Sequence, residues 1–170
     1  TGIPESKFGL DIRSGEAWQA AMECRDLPRV KLVGLHCHIG SQIESVEPHI
    51  LAVESVMAFA NHITREFGVR LSMINMGGGF GIPSVEEFAT SLASSFDSAA
   101  KSYNMDDLWL GIEPGAAIVG KSGVVLLTVN SVKPRNNGDV WVSVDGGADI
   151  LLRATQGWYS FPIVRAADPD

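Results

Sequence analysis

The chain has 170 residues, 45% of them apolar and 19% charged, with 13 Lys and Arg against 20 Asp and Glu for a formal net charge of −7. That composition supplies a hydrophobic core and excludes an intrinsically disordered chain, while the acid excess argues against binding nucleic acid or anionic membranes, which need basic surface. No apolar run nears the roughly 20 residues that cross a bilayer, no secretory pattern opens the chain, and Cys24 and Cys37 make no disulfide scaffold, so the expected location is cytoplasmic. Thr1 in place of Met, the loop-like Thr-Gly-Ile-Pro-Glu-Ser start and the Ala-Ala-Asp-Pro-Asp end lead us to expect a segment of a longer protein.

In chain order, Ser14 reads as an N-cap for a short helix over Gly15–Cys24. Lys31–Cys37 is a buried-strand pattern, followed by a polar turn at Gly40–Gln42. Ile50, Val53, Met57, Ala60 and Ile63 recur three or four residues apart, which predicts a long helix over Glu47–Phe67. Pro48 suits its first turn and Gly68 its stop. Val69–Asn75 is the next strand, Ser84 and Glu87 form a capping-box pattern for a helix ending near Tyr103, and Leu108–Ile112 is a third strand. Val33, Met73 and Leu110 are separated by roughly 40 residues, the length of a βα unit in either a barrel or a doubly wound sheet. Beyond Gly115 the pattern changes. Ile118–Val132 is rich in Val and Leu without a helical period, Asn136-Asn137-Gly138 is a turn signal, and Asp139–Val144 alternates with period two. These features predict antiparallel β structure after a boundary near Ala116.

The three strands end in chemistry-bearing residues: His36-Cys37-His38-Ile39-Gly40-Ser41-Gln42, Asn75-Met76-Gly77-Gly78-Gly79-Phe80-Gly81 and Glu113-Pro114-Gly115. Ligands of parallel α/β folds bind at strand carboxyl ends. Glycines let a backbone wrap closely and aim N–H groups at a phosphate, although Gly77-x-Gly79-x-Gly81 is not the dinucleotide fingerprint. His36 and His38 read either as a metal pair or as one packing histidine and one ring set over a flat cofactor. Glu113 could hold a proton on a heterocyclic nitrogen, Ser41 could donate to a phosphate oxygen, and Cys37 reads as a small buried residue.

Together these strings, with Ser6-Lys7-Phe8-Gly9 and Val144-Asp145-Gly146-Gly147, resemble the pyridoxal-phosphate decarboxylases of the alanine-racemase-like fold, nearest the diaminopimelate branch, with ornithine and arginine decarboxylases as sisters. The resemblance implies a partial (β/α)8 barrel that binds pyridoxal 5′-phosphate over residues 1–115 and the start of a β-rich domain over 116–170. It implies a homodimer whose active sites lie at the subunit interface. It implies that His38 stacks on the pyridine ring, that Ser41 and the Gly77, Gly78 and Gly79 amides hold the phosphate, that Glu113 pairs with the ring nitrogen and that Arg153 meets a substrate carboxylate. The implied reaction is decarboxylation of a basic or diamino acid, with meso-diaminopimelate giving L-lysine as the first expectation and ornithine or arginine as alternatives. The cofactor-anchoring lysine and the partner-subunit cysteine are expected outside the chain, so the segment alone is expected to be inactive and poorly folded. Ala116 stands where the family usually writes Arg, and Gly157 where its diaminopimelate branch often places Tyr; Tyr159 is out of register. These departures keep a catalytically silent binding homologue as a rival. A metal-dependent barrel hydrolase using His36 and His38 is another.

Overall fold

Three short parallel strands, β1 (Gly34–His36), β2 (Met73–Asn75) and β3 (Trp109–Gly111), lie side by side in chain order. They come from a computed structural model that describes residues 6–81, 85–157 and 160–167. The chain divides into two compact units, Thr1–Ser122 and Gly123–Asp170. No helix among the described residues is long and apolar enough to cross a membrane.

In the first unit the register pairs Gly34 with Met73 and Trp109, Leu35 with Ile74 and Leu110, and His36 with Asn75 and Gly111. Side chains alternate across a strand. The middle row, Leu35, Ile74 and Leu110, therefore joins the core beneath α2 (Glu47–Phe67) and α3 (Val85–Ser102). Helix α2 has the bounds its periodicity predicts. Pro48 sits in its first turn, and Gly68, with φ 63°, closes it by donating its N–H to the Thr64 carbonyl at 3.0 Å. It buries His49, Val53, Val56, Met57, Ala60 and Ile63 along one face. Phe88, Leu92, Phe96 and Ala100 recur every four residues along α3 and meet that face in the core.

The first helix, α1 (Glu16–Asp26), starts differently from the expectation at Ser14. Asp11 accepts the Arg13 and Ser14 N–H groups, Gly15 at φ 89° takes the N-cap position, and the Ser14 hydroxyl, one residue further out, accepts the Glu16 N–H at 3.4 Å. Trp18 of α1 stacks on Phe67 with ring centroids 4.8 Å apart and leans on His62 at 4.3 Å. The strands are shorter than their apolar runs. At their entrance Val33 is held outside the ladder, its carbonyl taking the Ser72 N–H and hydroxyl at 2.7 and 3.0 Å. The capping box falls on Ser84, which lies outside the described residues.

The predicted β character of Ile118–Val132 is confined to its end. Ala116–Val119 forms a single helical turn, α4, and pairing begins only at Val129. In the second unit β4 (Val129–Pro134) and β5 (Val140–Val144) form an antiparallel hairpin. Its turn is built as the sequence predicts. Gly138 takes φ 87°, and the Arg135 N–H reaches the Asp139 carbonyl at 2.8 Å. Helix α5 (Ala148–Thr155) was not foreseen. Asp149 accepts the Gly147 N–H at 3.1 Å at its start, and Leu151 kinks it with φ −123° and ψ 48°.

Candidate functional site

Past the strands, the same ladder carries the three loops together. Cys37 N–H donates to the Asn75 carbonyl, Met76 N–H to Gly111 and Glu113 N–H to Gly77, at 2.9, 2.9 and 2.7 Å. The glycine run is thereby wedged between the other two loops. Gly77 and Gly79 sit at φ 65° and 90°, which only glycine adopts without strain. A Cβ at Gly77, Gly78 or Gly79 would lie 2.4, 2.4 or 2.0 Å from the Cys37, Glu113 or Gly40 carbonyl oxygen. No side chain fits at any of the three. A parallel bridge between Ile43 and Phe80, with Ile43 N–H donating to Gly79 at 2.9 Å, straps the first loop over the second.

Five sequence-predicted elements of the site therefore converge: His38, Ser41, the glycine run, Glu113 and His36. Gly78 N–H donates to His38 Nδ1 at 3.2 Å, which fixes the ring and leaves the hydrogen of a neutral imidazole on Nε2. Gly77 N–H donates to Asn75 Oδ1 at 2.8 Å. Among the described residues the Gly79 N–H and the Ser41 hydroxyl have no protein partner, so both are among the donors left for a ligand. Glu113 Oε1 accepts from Asn75 Nδ2 at 2.9 Å and lies 3.6 Å from His36 Nε2, an ion pair when that imidazole is protonated. His36, Met73, Asn75 and Glu113 line an open depression of about 340 Å³ on the sheet face turned away from the helices.

Two expectations about neighbouring residues can be placed. Cys37 is packed against the core, its Sγ 3.8 Å from Met76 Sδ, and burial pushes its thiol up to about 11. It is a packing residue, as read. Among the described residues no group of three or more His, Cys, Asp or Glu could hold a metal ion, so the His36 and His38 pair finds no third ligand there. Arg153 is an exposed residue of α5 in the second unit. Ala116 opens α4 directly after Glu113-Pro114-Gly115. Gly157 follows α5 at φ 70°, a conformation that disfavours the tyrosine the resemblance implied there, and Tyr159 lies outside the described residues.

Two residues went unassigned in the sequence. Asn75 read as the end of a strand, although a side chain with both donor and acceptor directly before a glycine run is a signal for a loop clamp. His49 read as an ordinary helical residue, yet it is fully buried under the strap. Its ring lies 5.0 Å from those of Phe80 and Phe88, with neither nitrogen hydrogen-bonded among the described residues. Its place one turn before Val53, on the apolar face of α2, is the signal that would have found it. Burial, and secondarily the nearby His38, hold its pKa below the usual histidine value.

This geometry is that of an anion cradle beside a carboxylate and an imidazole at the carboxyl edge of a parallel sheet. Residues 1–120 match the family described as pyridoxal-dependent decarboxylase, pyridoxal binding domain, and the chain belongs to that family. It is similar to the diaminopimelate decarboxylase of Staphylococcus aureus, 37% identical over 161 residues, and to that of Archaeoglobus fulgidus, 38% identical over 162 residues; each match covers 90% of this chain and 37% of the relative. It also superposes on a crystal structure of diaminopimelate decarboxylase from Methanocaldococcus jannaschii in co-complex with L-lysine, with TM-score 0.75 and 32% identity, over 91% of this chain and 37% of that one. The chain thus spans little more than a third of the length of these relatives.

The residues present fit the family's cofactor. A phosphate needs N–H and hydroxyl donors on a close-approaching backbone, which Gly79 and Ser41 supply beside a cradle closed to any Cβ. A protonated pyridine nitrogen is stabilised by a nearby carboxylate, and Glu113 is a carboxylate at this edge with Oε1 already held by Asn75.

Proposed function

We propose that this chain is the cofactor-binding part of a decarboxylase that converts meso-diaminopimelate to L-lysine in lysine biosynthesis. The observation that carries this reading is the convergence of His38, Ser41, Gly77–Gly79 and Glu113 at the ends of three adjacent parallel strands. The substrate is inferred from the similarity to the diaminopimelate decarboxylases above. Residues 1–115 are then part of a (β/α)8 barrel. The sheet face carrying Met73 and Trp109, 41% and 77% exposed, would be its interior lining. Residues 116–170 begin the β-rich domain. A homodimer and a cytoplasmic location belong to the same reading; the two free thiols support the latter.

Bound at this site, pyridoxal phosphate would supply an electron sink for the electron pair left when an α-carboxylate departs as CO₂. The protein's part is to bind and orient. The Gly79 N–H and Ser41 hydroxyl would hold the phosphate, with Gly77 and Gly78 shaping the cradle. The Gly78 N–H, by fixing His38 Nδ1, would hold the imidazole face against the ring. Glu113 would keep a proton on the ring nitrogen, and Arg153 would pair with a substrate carboxylate. Holding the reacting groups in one alignment removes much of the entropic part of the barrier.

The test is CO₂ release by the full-length protein from carboxyl-labelled meso-diaminopimelate, L-ornithine, L-arginine and L-lysine, each with added pyridoxal phosphate. Release from meso-diaminopimelate at least a hundredfold faster than from the others supports the reading. Preference for ornithine or arginine moves the protein to a sister branch, and no release from any of them removes the enzymatic reading.

A further inference from the structure

We propose that Asn75 is a positioning residue, its amide tying the Glu113 carboxylate and the glycine run into one rigid unit. The inference rests on the reading above, in which Glu113 meets the ring nitrogen and the glycine run holds the phosphate. Asn75 ends the central strand of the sheet, so it has a partner strand on each side. Its backbone is fixed by the Cys37 N–H, which donates to its carbonyl at 2.9 Å. Its side chain then works at both ends. Nδ2 donates to Glu113 Oε1 at 2.9 Å, and Oδ1 accepts from the buried Gly77 N–H at 2.8 Å.

Room for the amide comes from the neighbouring strand. Gly111 is opposite Asn75 in register, and a Cβ there would lie 3.3 Å from Asn75 Cβ and 3.4 Å from Cγ. The chemistry narrows the residue type. Aspartate keeps the acceptor for Gly77 but has no donor for Glu113 and adds a like charge beside it. Leucine keeps the shape and loses both bonds. Serine is too short to reach Glu113.

Glu113 needs such a tether. It lies in a loop, its side chain is 56% exposed, and its other close neighbour, His36, is 3.6 Å away. With Oε1 held by the amide, the carboxylate keeps one orientation and presents Oε2, which has no partner among the described residues, to a ligand. The same amide sets Gly77, and with it the φ 90° turn at Gly79 whose N–H is left for the phosphate. Ring-nitrogen partner and phosphate anchor are thereby held at a fixed separation.

The test is a double-mutant cycle in the full-length protein, reading the dissociation constant of pyridoxal phosphate by fluorescence titration and, separately, kcat and KM. The variants are Asn75→Asp, Glu113→Gln and the pair, with Asn75→Ser as a second single variant should Asn75→Asp fail to fold. Loss of a hydrogen bond to a carboxylate predicts that Asn75→Asp weakens cofactor binding about tenfold or more. It also predicts a fall in kcat, with KM for the amino acid moving less than about twofold. Because aspartate keeps the acceptor for Gly77, Asn75→Asp acts on the cofactor through Glu113, so its pair with Glu113→Gln should bind cofactor no more weakly than Glu113→Gln alone, and Asn75→Ser should shift in the same direction as Asn75→Asp. Additive losses in the pair would overturn the proposal. So would Asn75 variants that match the wild type while Glu113→Gln weakens binding and kcat, an outcome that leaves the reading of Glu113 standing. A silent Glu113→Gln would instead remove that reading, and this proposal with it.

Discussion

Replacing Gly79 by alanine separates backbone strain from steric crowding, because Gly68 offers a matched control. Both glycines have left-handed φ, 90° at Gly79 and 63° at Gly68. A Cβ at Gly68 meets nothing within 4 Å. Gly68→Ala therefore carries only the left-handed penalty, about 1–2 kcal/mol. A Cβ at Gly79 would sit 2.0 Å from the Gly40 oxygen and 2.8 Å from its carbon, both backbone atoms, so the strap over residues 40–43 must move. Such overpacking adds about 1–3 kcal/mol, for a total of roughly 2–5 kcal/mol. The movement breaks the 2.9 Å bond from the Ile43 N–H to Gly79 and displaces Ser41. Urea unfolding of the apo full-length protein measures the stability loss, and a pyridoxal phosphate titration measures the site. Gly79→Ala should lose more stability than Gly68→Ala and bind the cofactor at least about tenfold more weakly, whereas Gly68→Ala should bind it normally. Equal stability losses with unchanged cofactor affinity in both variants would refute the wedged-loop reasoning.

His49 makes stability pH-dependent in a defined direction. Its folded-state pKa lies below 6.5 through burial and the nearby His38, so below that pH the unfolded chain binds the proton that the folded chain refuses. Stability is therefore full above about pH 6.5 and falls as the solution is acidified toward the folded-state value. Urea midpoints between pH 7.5 and 5 should show that slope, and His49→Leu should flatten it; an unchanged slope in the variant would assign the effect to other groups. Met57 is fully buried in the core between α2 and the sheet, so Met57→Ala should cost about 2–5 kcal/mol by urea unfolding. A loss under about 1 kcal/mol would mean that this core is not packed as described. Burial that lifts the Cys37 thiol to about 11 should make it react with a disulfide reagent at pH 8 far more slowly than free glutathione; reaction at the glutathione rate would show an open loop.

The parts of the fold legible in the sequence were those governed by local pattern. The bounds of α2 follow from an apolar stripe with Pro48 at one end and Gly68 at the other, and the hairpin turn follows from Asn137-Gly138. What escaped depended on partners distant in sequence. The strands are three residues long because pairing, not apolar content, decides where a ladder runs. Val124, Val125 and Leu126 look like strand residues yet lie outside the hairpin, which starts at Val129. Gly15 rather than Ser14 takes the N-cap position because the chain turns into the helix through a left-handed residue, φ 89°, set by the Asp11 turn before it. The site divides in the same way. His38, Ser41, the glycines and Glu113 stood out because each strand end concentrates them. Asn75 and His49 did not, since the amide joins the nearby Gly77 N–H to Glu113, 38 residues away, and the imidazole packs on Phe80 and Phe88.

The central claim is that the loops at the ends of β1, β2 and β3 form a pyridoxal phosphate site, and a stoichiometric titration of the full-length protein tests it most directly. The account predicts saturation at one cofactor per chain, with affinity lowered at least about tenfold by Gly79→Ala and by Glu113→Gln. Absence of saturable binding, or binding that neither substitution alters, would contradict it.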